Sequence, residues 1–393
     1  MKFLAVVVAA LLAFSTPAEA AQKRIAVKKI EKIAVTSGAE LLVANGSSIV
    51  TISNVDSTTS DIALSAIDIS GAALWNTVVD SGGDEIAMVS ARDNAGNLWI
   101  AGFSATPAPQ ESATSTSVAE NPDSVVVEPT QDSRNDLNRL TIWKVSSSGE
   151  LLETFNSPEN LPGLINAISV TSSGASLLGQ YNQRSFIQNV SPSGAFGKVL
   201  YIGTSKTTLN SVVRNSEGSA SAFGFSTETL GGKRLAAKQD GVLIKVSKSG
   251  ALTSVVRSSA IKAERSWLSA DFNFLLSGYV KTGKKIETAI TKFSPAFAPV
   301  WTLRVPSTGE SRAITAGKSS LLAFSSNASV PSLIGWNPTK AGLLLLTFDG
   351  KGLITAAKGS SELITPIALS YSKEVGAVGL AKSSDGSVAL FKF

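Results

Sequence analysis

Apolar residues alternate with small or polar ones along most of this chain, most regularly between residues 61 and 105. The alternation there falls into four runs, Ile62–Ile69, Ala72–Val79, Ile86–Arg92 and Leu98–Phe103. A period of two sustained over four to eight residues predicts strands with one buried and one wetter face. Ser70-Gly71 supplies a tight turn between the first two runs, and Asp93-Asn94-Ala95-Gly96-Asn97 joins the last two. Asn, Asp and Gly are the residues that tolerate the positive φ angles such turns need. The stretch therefore predicts a four-stranded antiparallel meander of about 45 residues, the size of one β-propeller blade.

The same pattern returns in copies beginning at Leu140, Ser185, Asp240, Glu287 and Leu343. Two glycines hold its register: one in the first hairpin and one at the end of the fourth strand. The pairs are Gly71 and Gly102, Gly149 and Gly179, Gly194 and Gly224, Gly250 and Gly278, and Gly352 and Gly379, separated by 27 to 31 residues. The copy over 286–326 lacks both, with Pro295-Ala296 in its hairpin and Ala323 at its end. Six internal copies, an N-terminal set of strands over 24–55 and a lone C-terminal strand at Ser387–Phe393 predict a single all-β propeller. The expected form has seven blades of four antiparallel strands, closed by pairing of the N- and C-terminal strands. Closure is the physical requirement, because an open arc leaves unpaired edges and an unburied blade face at each end.

Two segments carry a family resemblance. Ala66-Ile67-Asp68-Ile69-Ser70-Gly71-Ala72-Ala73-Leu74, followed by Asp93-x-x-Gly96-Asn97-Leu98-Trp99-Ile100-Ala101-Gly102-Phe103, resembles bacterial SBBP-type β-propeller repeats. Asp240-Gly241-Val242-Leu243-Ile244-Lys245-Val246-Ser247-Lys248-Ser249-Gly250 is similar to the other half of that repeat. The resemblance covers 61–105 and, more loosely, 140–283. It implies a propeller in an exported protein. It carries over no catalytic residue, because the matching positions are turn and core positions.

Composition narrows the chemistry. Met1-Lys2, the apolar run Phe3–Phe14 and Ala18-Glu19-Ala20 form a secretory signal over residues 1–20, leaving 21–393 as the propeller domain. The run is too short to cross a bilayer, so the mature chain is expected to be secreted or envelope-associated without a transmembrane segment. Cysteine and histidine are both absent. Export therefore brings no disulfide, and the commonest metal ligand and general base are missing. Residues 106–138, rich in Pro, Ser, Thr and acids, form a low-complexity insertion with a local charge of −5 in a chain of +5, so the remainder carries +10.

The short turns fall on one face of such a ring and every long insertion on the other, and function concentrates on long loops borne by a rigid scaffold. Lys233, Arg234, Lys238, Lys262, Arg265, Lys281, Lys284 and Lys285 belong to that second face, with Trp336 as an exposed aromatic in the loop 327–340. Lys233, Arg234, Lys262, Lys281, Lys284, Lys285 and Trp336 are the expected ligand-binding residues. The expected function is a non-catalytic binding or scaffold module for an extracellular or envelope protein or an anionic polymer. No cofactor, metal or nucleic acid is expected. The alternative is a carboxylate-dependent glycan hydrolase or lyase, which without histidine needs paired carboxylates near the central channel. Asp93-Asn94-Ala95-Gly96-Asn97 lacks the alternating acidic ligands of a calcium loop and reads as a turn. Ser370-x-x-Lys373 is a chance pair in a chain this rich in both residues.

Overall fold

A computed structural model describes residues 24–36, 38–56, 59–105, 136–160 and 163–393. The signal reading of 1–20 and residues 106–135 of the insertion lie outside the described residues. What is described is all strand and turn, and no helix in it is long and apolar enough to cross a membrane.

The strands follow one another in sheets of four. The N-terminal β1 (Ile25–Lys29) and β2 (Glu31–Thr36) are set aside for later blades. The first sheet is β3 (Leu41–Asn45), β4 (Ser48–Asp56), β5 (Ser60–Ile67) and β6 (Ala73–Val79). The second is β7 (Glu85–Arg92), β8 (Leu98–Ala105), β9 (Leu137–Val145) and β10 (Leu151–Asn160). The third is β11 (Leu164–Thr171), β12 (Gly174–Tyr181), β13 (Arg184–Val190) and β14 (Leu200–Ile202). The fourth is β15 (Thr207–Arg214), β16 (Ala220–Ser226), β17 (Asp240–Val246) and β18 (Leu252–Ser258). The fifth is β19 (Glu264–Ala270), β20 (Leu275–Thr282), β21 (Lys285–Phe293) and β22 (Pro299–Pro306). Then come β23 (Ser311–Ala316), β24 (Ser319–Ser326), the two-residue β25 (Leu333–Ile334), β26 (Gly342–Phe348) and β27 (Ile354–Ser360). The last sheet holds β28 (Leu363–Ser372), β29 (Gly376–Ser383) and β30 (Val388–Lys392), with β2 on its outer edge.

The innermost strands β3, β7, β11, β15, β19, β23 and β28 each touch the next, and β28 touches β3, so the ring closes. Seven blades of four strands are expected, and six sheets have that form. The remaining sheet has six strands, because β1 lies parallel along the edge of β27 and β25 lies parallel beside β1. N- and C-terminal strands do pair: Glu31 opposes Lys392 and Thr36 opposes Val388 across β2 and β30. Residues 388–392 are thus the third strand of their blade, not the lone C-terminal strand expected.

The four runs over 61–105 are the strands β5 to β8, but they straddle two sheets. The first two form the outer hairpin of one blade, and the last two the inner hairpin of the next. The period was legible and the phase was not, since alternation looks the same in an inner and an outer strand. The division of turns and long connections between two faces survives the shift, because moving by two strands preserves direction.

A separate apolar cluster fills each junction between neighbouring sheets. Trp143, Ile62 and Leu98 pack between the first two sheets, and Trp267, Phe223 and Phe293 between the fourth and fifth. Leu390 and Phe391 are adjacent and both 0% exposed, yet they serve different junctions: Leu390 faces the first sheet, and Phe391 faces β24 and β26.

The repeated glycines have two separate physical causes. On inner strands, register shifts between Ala87 and Val89, Leu209 and Ser211, and Trp267 and Ser269 mark β-bulges that push a carbonyl toward the neighbouring strand. Opposite them stand Gly102, Gly224 and Gly278, where a Cβ would collide with the carbonyl oxygens of Ile86, Thr208 and Ser266. The sheet containing Ala323 has no such shift, so it needs no glycine. In the outer hairpins, Gly149 and Gly352 hold φ of +90° and +82° and lie directly beneath Trp75 and Trp301 of the preceding blades.

Gly224→Ala is expected to cost about 2–3 kcal/mol by overpacking against a backbone that cannot yield. Ala323→Gly at the equivalent unbulged position should cost only about 0.5–1 kcal/mol. Equal losses in chemical denaturation would refute the bulge explanation. Removal of residues 388–393 strips three fully buried side chains, Ala389, Leu390 and Phe391, from two junctions, together with the partner strand of β2. The truncated chain should lose its cooperative thermal transition, and a melting temperature within a few degrees of wild type would contradict this.

Candidate functional site

The face that carries the long connections is built most densely where the fourth and fifth sheets meet. The connection 227–239 is shaped from below by Arg257, whose guanidinium pairs with buried Asp240 at 3.2 Å. The same guanidinium donates to the carbonyls of Glu228 and Lys233, and the Ala236 amide donates to Asp240 at 2.9 Å. Backbone bonds between Leu230 and Lys233 close the tip of this loop, presenting Lys233 and Arg234 to solvent. Its far end is tied to the next blade, because the Arg265 amide donates to the Gln239 carbonyl at 3.0 Å and Gln239 Nε2 donates back at 3.1 Å. Glu264, beside that tie, opposes Lys281 on β20. Three successive connections, 227–239, 259–263 and 283–284, therefore lie side by side.

Of the basic residues expected here, Lys233, Arg234, Lys262 and Lys284 are exposed and have no ion pair among the described residues, as is Lys238. Lys281 and Lys285 are exposed but paired, with Glu264 at 3.7 Å and Glu287 at 2.8 Å. Ile261, beside Lys262, is 90% exposed. Arg265 does not belong to this surface. It is buried over the Trp267 ring at 4.2 Å, and burial, with Arg304 nearby, brings its pKa down to about 10.

Trp336 is corrected. It is 8% exposed and packs with Val330, Leu333 and Leu344 in the cluster between the fifth and the six-stranded sheets, its ring lying over Gly342 and Gly359. The prolines around it shape a loop that returns its aromatic to the core. This side chain is a plug under the connection, not a platform for a ligand.

The central channel, about 690 Å³, is lined by all the innermost strands. Its polar groups mostly stitch one blade to the next. Asn166 and Asn210 sit in the bulges of β11 and β15 and donate to the carbonyls of Leu209 and Trp267 at 3.2 and 2.7 Å. Arg312 Nε donates to the Ile367 carbonyl at 3.0 Å, and burial lowers its pKa. Asp271 accepts the amides of Asn273 and Leu275 with one oxygen and that of Thr315 with the other, at 2.6 to 2.9 Å. Glu40 accepts from Asn54 at 2.9 Å. Ser370 accepts the Ala44 amide at 2.8 Å, which gives the hydroxyl of the Ser370-x-x-Lys373 pair a structural task. No converging carboxylate pair stands free in this channel among the described residues. Asp93 is the turn anchor expected of it: its carboxylate accepts the amides of Ala95 and Asn97 and the Trp99 indole N–H.

One cluster was not foreseen. Asp61 on β5, Asp80 in the connection 80–84 and Glu85 at the start of β7 bring carboxylate oxygens within 4.8 Å of one another. Asp61 and Glu85 are buried, Glu85 completely, while Asp80 is exposed. Ser81 donates to Glu85 Oε1, Thr59 donates to Asp61 at 3.0 Å, and the Gly82 amide donates to Asp80 at 2.7 Å. Glu85 Oε2 is buried with no hydrogen-bond partner. Burial pushes the Glu85 carboxyl up, against the Ser81 hydroxyl, and the charges of Asp61 and Asp80 push it further. The only sequence signal was Asp80-Ser81-Gly82-Gly83-Asp84-Glu85, an acidic connection around two glycines; Asp61 joins it only in three dimensions.

No protein-family model and no curated protein matches the sequence. Among solved structures, the Cps50 (Swd1) β-propeller domain of Myceliophteria thermophila superposes with a TM-score of 0.53 at 8% identity, covering 93% of this chain and 99% of that one. The fold is a β-propeller. The propeller domain of the Pyrococcus furiosus Trilobed protease matches at a TM-score of 0.48 and 7% identity, over 90% of this chain and 94% of its own. The periplasmic gluconolactonase of Pseudomonas aeruginosa matches at 0.46 and 14%, over 82% and 85%. At these identities the likeness shows the fold alone.

A buried tryptophan and a ligand-contacting one respond differently to truncation. Trp336→Ala should destabilise the propeller by about 3–5 kcal/mol, as core aromatics do. A denaturation midpoint unchanged from wild type would return Trp336 to the surface.

Proposed function

We propose that this propeller is a binding module whose basic sector, on the connection-bearing face of the fourth and fifth sheets, receives an anionic polymer. The observation that carries the reading is the set Lys233, Arg234, Lys238, Lys262 and Lys284. These five exposed cations stand on three adjoining connections with no ion pair among the described residues. Cations gathered without counter-charges raise the local potential and draw in polyanions from a distance. Lys281 and Lys285 flank them with their charges already half satisfied. Exposed Ile261 offers an apolar contact amid these charges, which suits a polymer with a carbon backbone as well as acidic groups.

The scaffold supports such a role. Arg257 and Gln239 fix the backbone of the loops, so binding orders only lysine and arginine side chains. Residues 1–20, read as an export signal, put the partner outside the cell or in its envelope. The carboxylate hydrolase reading has no comparable support, since Asp271 and Glu40 already hold backbone and side-chain partners in the channel.

Retention on immobilised heparin, a sulfated polysaccharide probe, tests this directly. Reversing Lys233, Arg234, Lys238, Lys262 and Lys284 to Glu should abolish retention at ~0.15 M salt, where screening acts within about 8 Å. A control reverses five exposed lysines in the short turns of the opposite face, Lys198, Lys248, Lys318, Lys351 and Lys373. The control has the same net charge and should stay bound. Equal loss in both variants would mean bulk charge and not this sector.

A further inference from the structure

The buried arginines of this chain keep different company. Arg214, 6% exposed, donates to Ser173 Oγ, Ser176 Oγ, Asn189 Oδ1 and the Ser173 carbonyl at 2.8 to 3.0 Å, so neutral acceptors surround its charge. Arg257 pairs with Asp240, and Arg312 donates to the Ile367 and Ser311 carbonyls at 3.0 and 2.9 Å. Arg265 is as deep, 7% exposed, but has a single long bond, from Nη2 to the Thr291 hydroxyl at 3.3 Å. Its Nε is buried without an acceptor, and no carboxylate is ion-paired with it among the described residues. With a pKa lowered to about 10 it is still charged at neutral pH. A buried charge with neither a counter-charge nor a full set of hydrogen bonds is costly.

The surroundings of that guanidinium come from one side of the fifth sheet. Thr291 opposes Thr302 and Ala289 opposes Arg304 across β21 and β22, so Thr302 and Arg304 share the side that Thr291 occupies. The Thr291 and Thr302 hydroxyls are 3.0 Å apart. Thr302 and Arg304 are exposed, and Arg304 has no ion pair among the described residues. A line of hydroxyls thus runs from solvent to Arg265. Glu287, on the same side of β21, is taken by Lys285 at 2.8 Å. Ala260 and Ala263 pack on Val280 and Ala289, so the connection 259–263 roofs the inner end. Stacking over the Trp267 ring at 4.2 Å holds the guanidinium plane and leaves its in-plane N–H groups free to bond.

We propose that Arg265 and Arg304, with the Thr291 and Thr302 hydroxyls, form a site for a divalent tetrahedral oxyanion, sulfate or phosphate. Two guanidinium charges on one side of a sheet call for two negative charges, and a single carboxylate supplies one. Guanidinium donors match the oxygens of such an anion with charge-assisted hydrogen bonds. The anion gives Arg265 Nε the acceptor it lacks and replaces repulsion between the two arginines with attraction to a shared centre. The site lies on the flank of the junction between the fourth and fifth sheets. It uses none of the five exposed cations of the basic sector, so it stands or falls apart from the polymer reading.

Calorimetric titration of the full chain with sodium sulfate and sodium phosphate, at an ionic strength held constant with NaCl, tests the site. One oxyanion per chain is expected at millimolar concentration, with sodium acetate at least tenfold weaker. Arg265→Met should abolish the binding. Arg304→Gln, at an exposed position, should weaken it at least tenfold and decides the matter if Arg265→Met fails to fold. Heparin retention then separates two sources of the anion. Earlier elution of Arg304→Gln than of the single-charge control Lys351→Gln assigns the site to a sulfate group of a polymer, and equal elution assigns it to a free ion; both results presuppose the calorimetric loss and support the site. Absence of heat with both oxyanions overturns the proposal, as does acetate binding as tightly as sulfate. Undiminished binding in either folded variant overturns it as well.

Discussion

Every junction in this ring depends on a sheet that the chain cannot complete until its two ends meet. The outer strand β2 comes from the first residues of the described chain, and the strand it pairs with, β30, from the last. No disulfide is available to hold that closure, since cysteine is absent. The closure is instead distributed. Val27 to Lys29 run along β27 on one blade, Glu31 to Thr36 along β30 on the next, so one short N-terminal segment clasps two neighbours. Leu390 and Phe391 fill the cores on both sides of the closing blade. Pulling either terminus away would open an edge and two apolar faces at once, which makes the ring cooperative.

Closing a ring also brings inner strands together around a narrow axis, and this constrains which polar residues remain available. Ser169, Ser211, Ser269 and Ser370 each accept a backbone amide from an adjacent blade, and Asn166, Asn210 and Arg312 donate to carbonyls that face the hub. Strands that converge edge-on leave backbone groups without ladder partners, and these side chains supply them. The bulges that create the misfit are the same ones that demand Gly102, Gly224 and Gly278 opposite. Polar chemistry at the hub is thereby consumed by architecture, and unspent charge is left at the rim.

At the rim the charge is divided by sign. Exposed cations collect where the fourth and fifth sheets meet, and carboxylates collect where the first and second meet. The two sectors differ in depth as well. The cations ride on loops whose backbones are pinned by Arg257 and Gln239, with their heads in water, whereas Glu85 is drawn wholly inside. A solvated cation can wait for a partner at little cost. A buried anion cannot, and burial pushes the Glu85 carboxyl up toward its neutral form.

The alternating runs, the turn residues and the spacing of the glycine pairs determined from the sequence alone that the chain is a ring of repeated antiparallel strands closed by its ends. They determined equally which face carries the long connections, because strand direction depends only on counting. Tertiary structure decided what counting cannot reach. It set the phase of the repeat by two strands, because inner and outer strands share one local pattern and differ only in their neighbours. It took Trp336 from an expected surface into a junction, and gave one sheet six strands by laying β1 beside β27, more than three hundred residues away. It gathered Asp61, Asp80 and Glu85 from two blades onto a single point. Periodicity is a property of adjacent residues along the chain, whereas burial and convergence of charge belong to segments that meet only once the ring has closed.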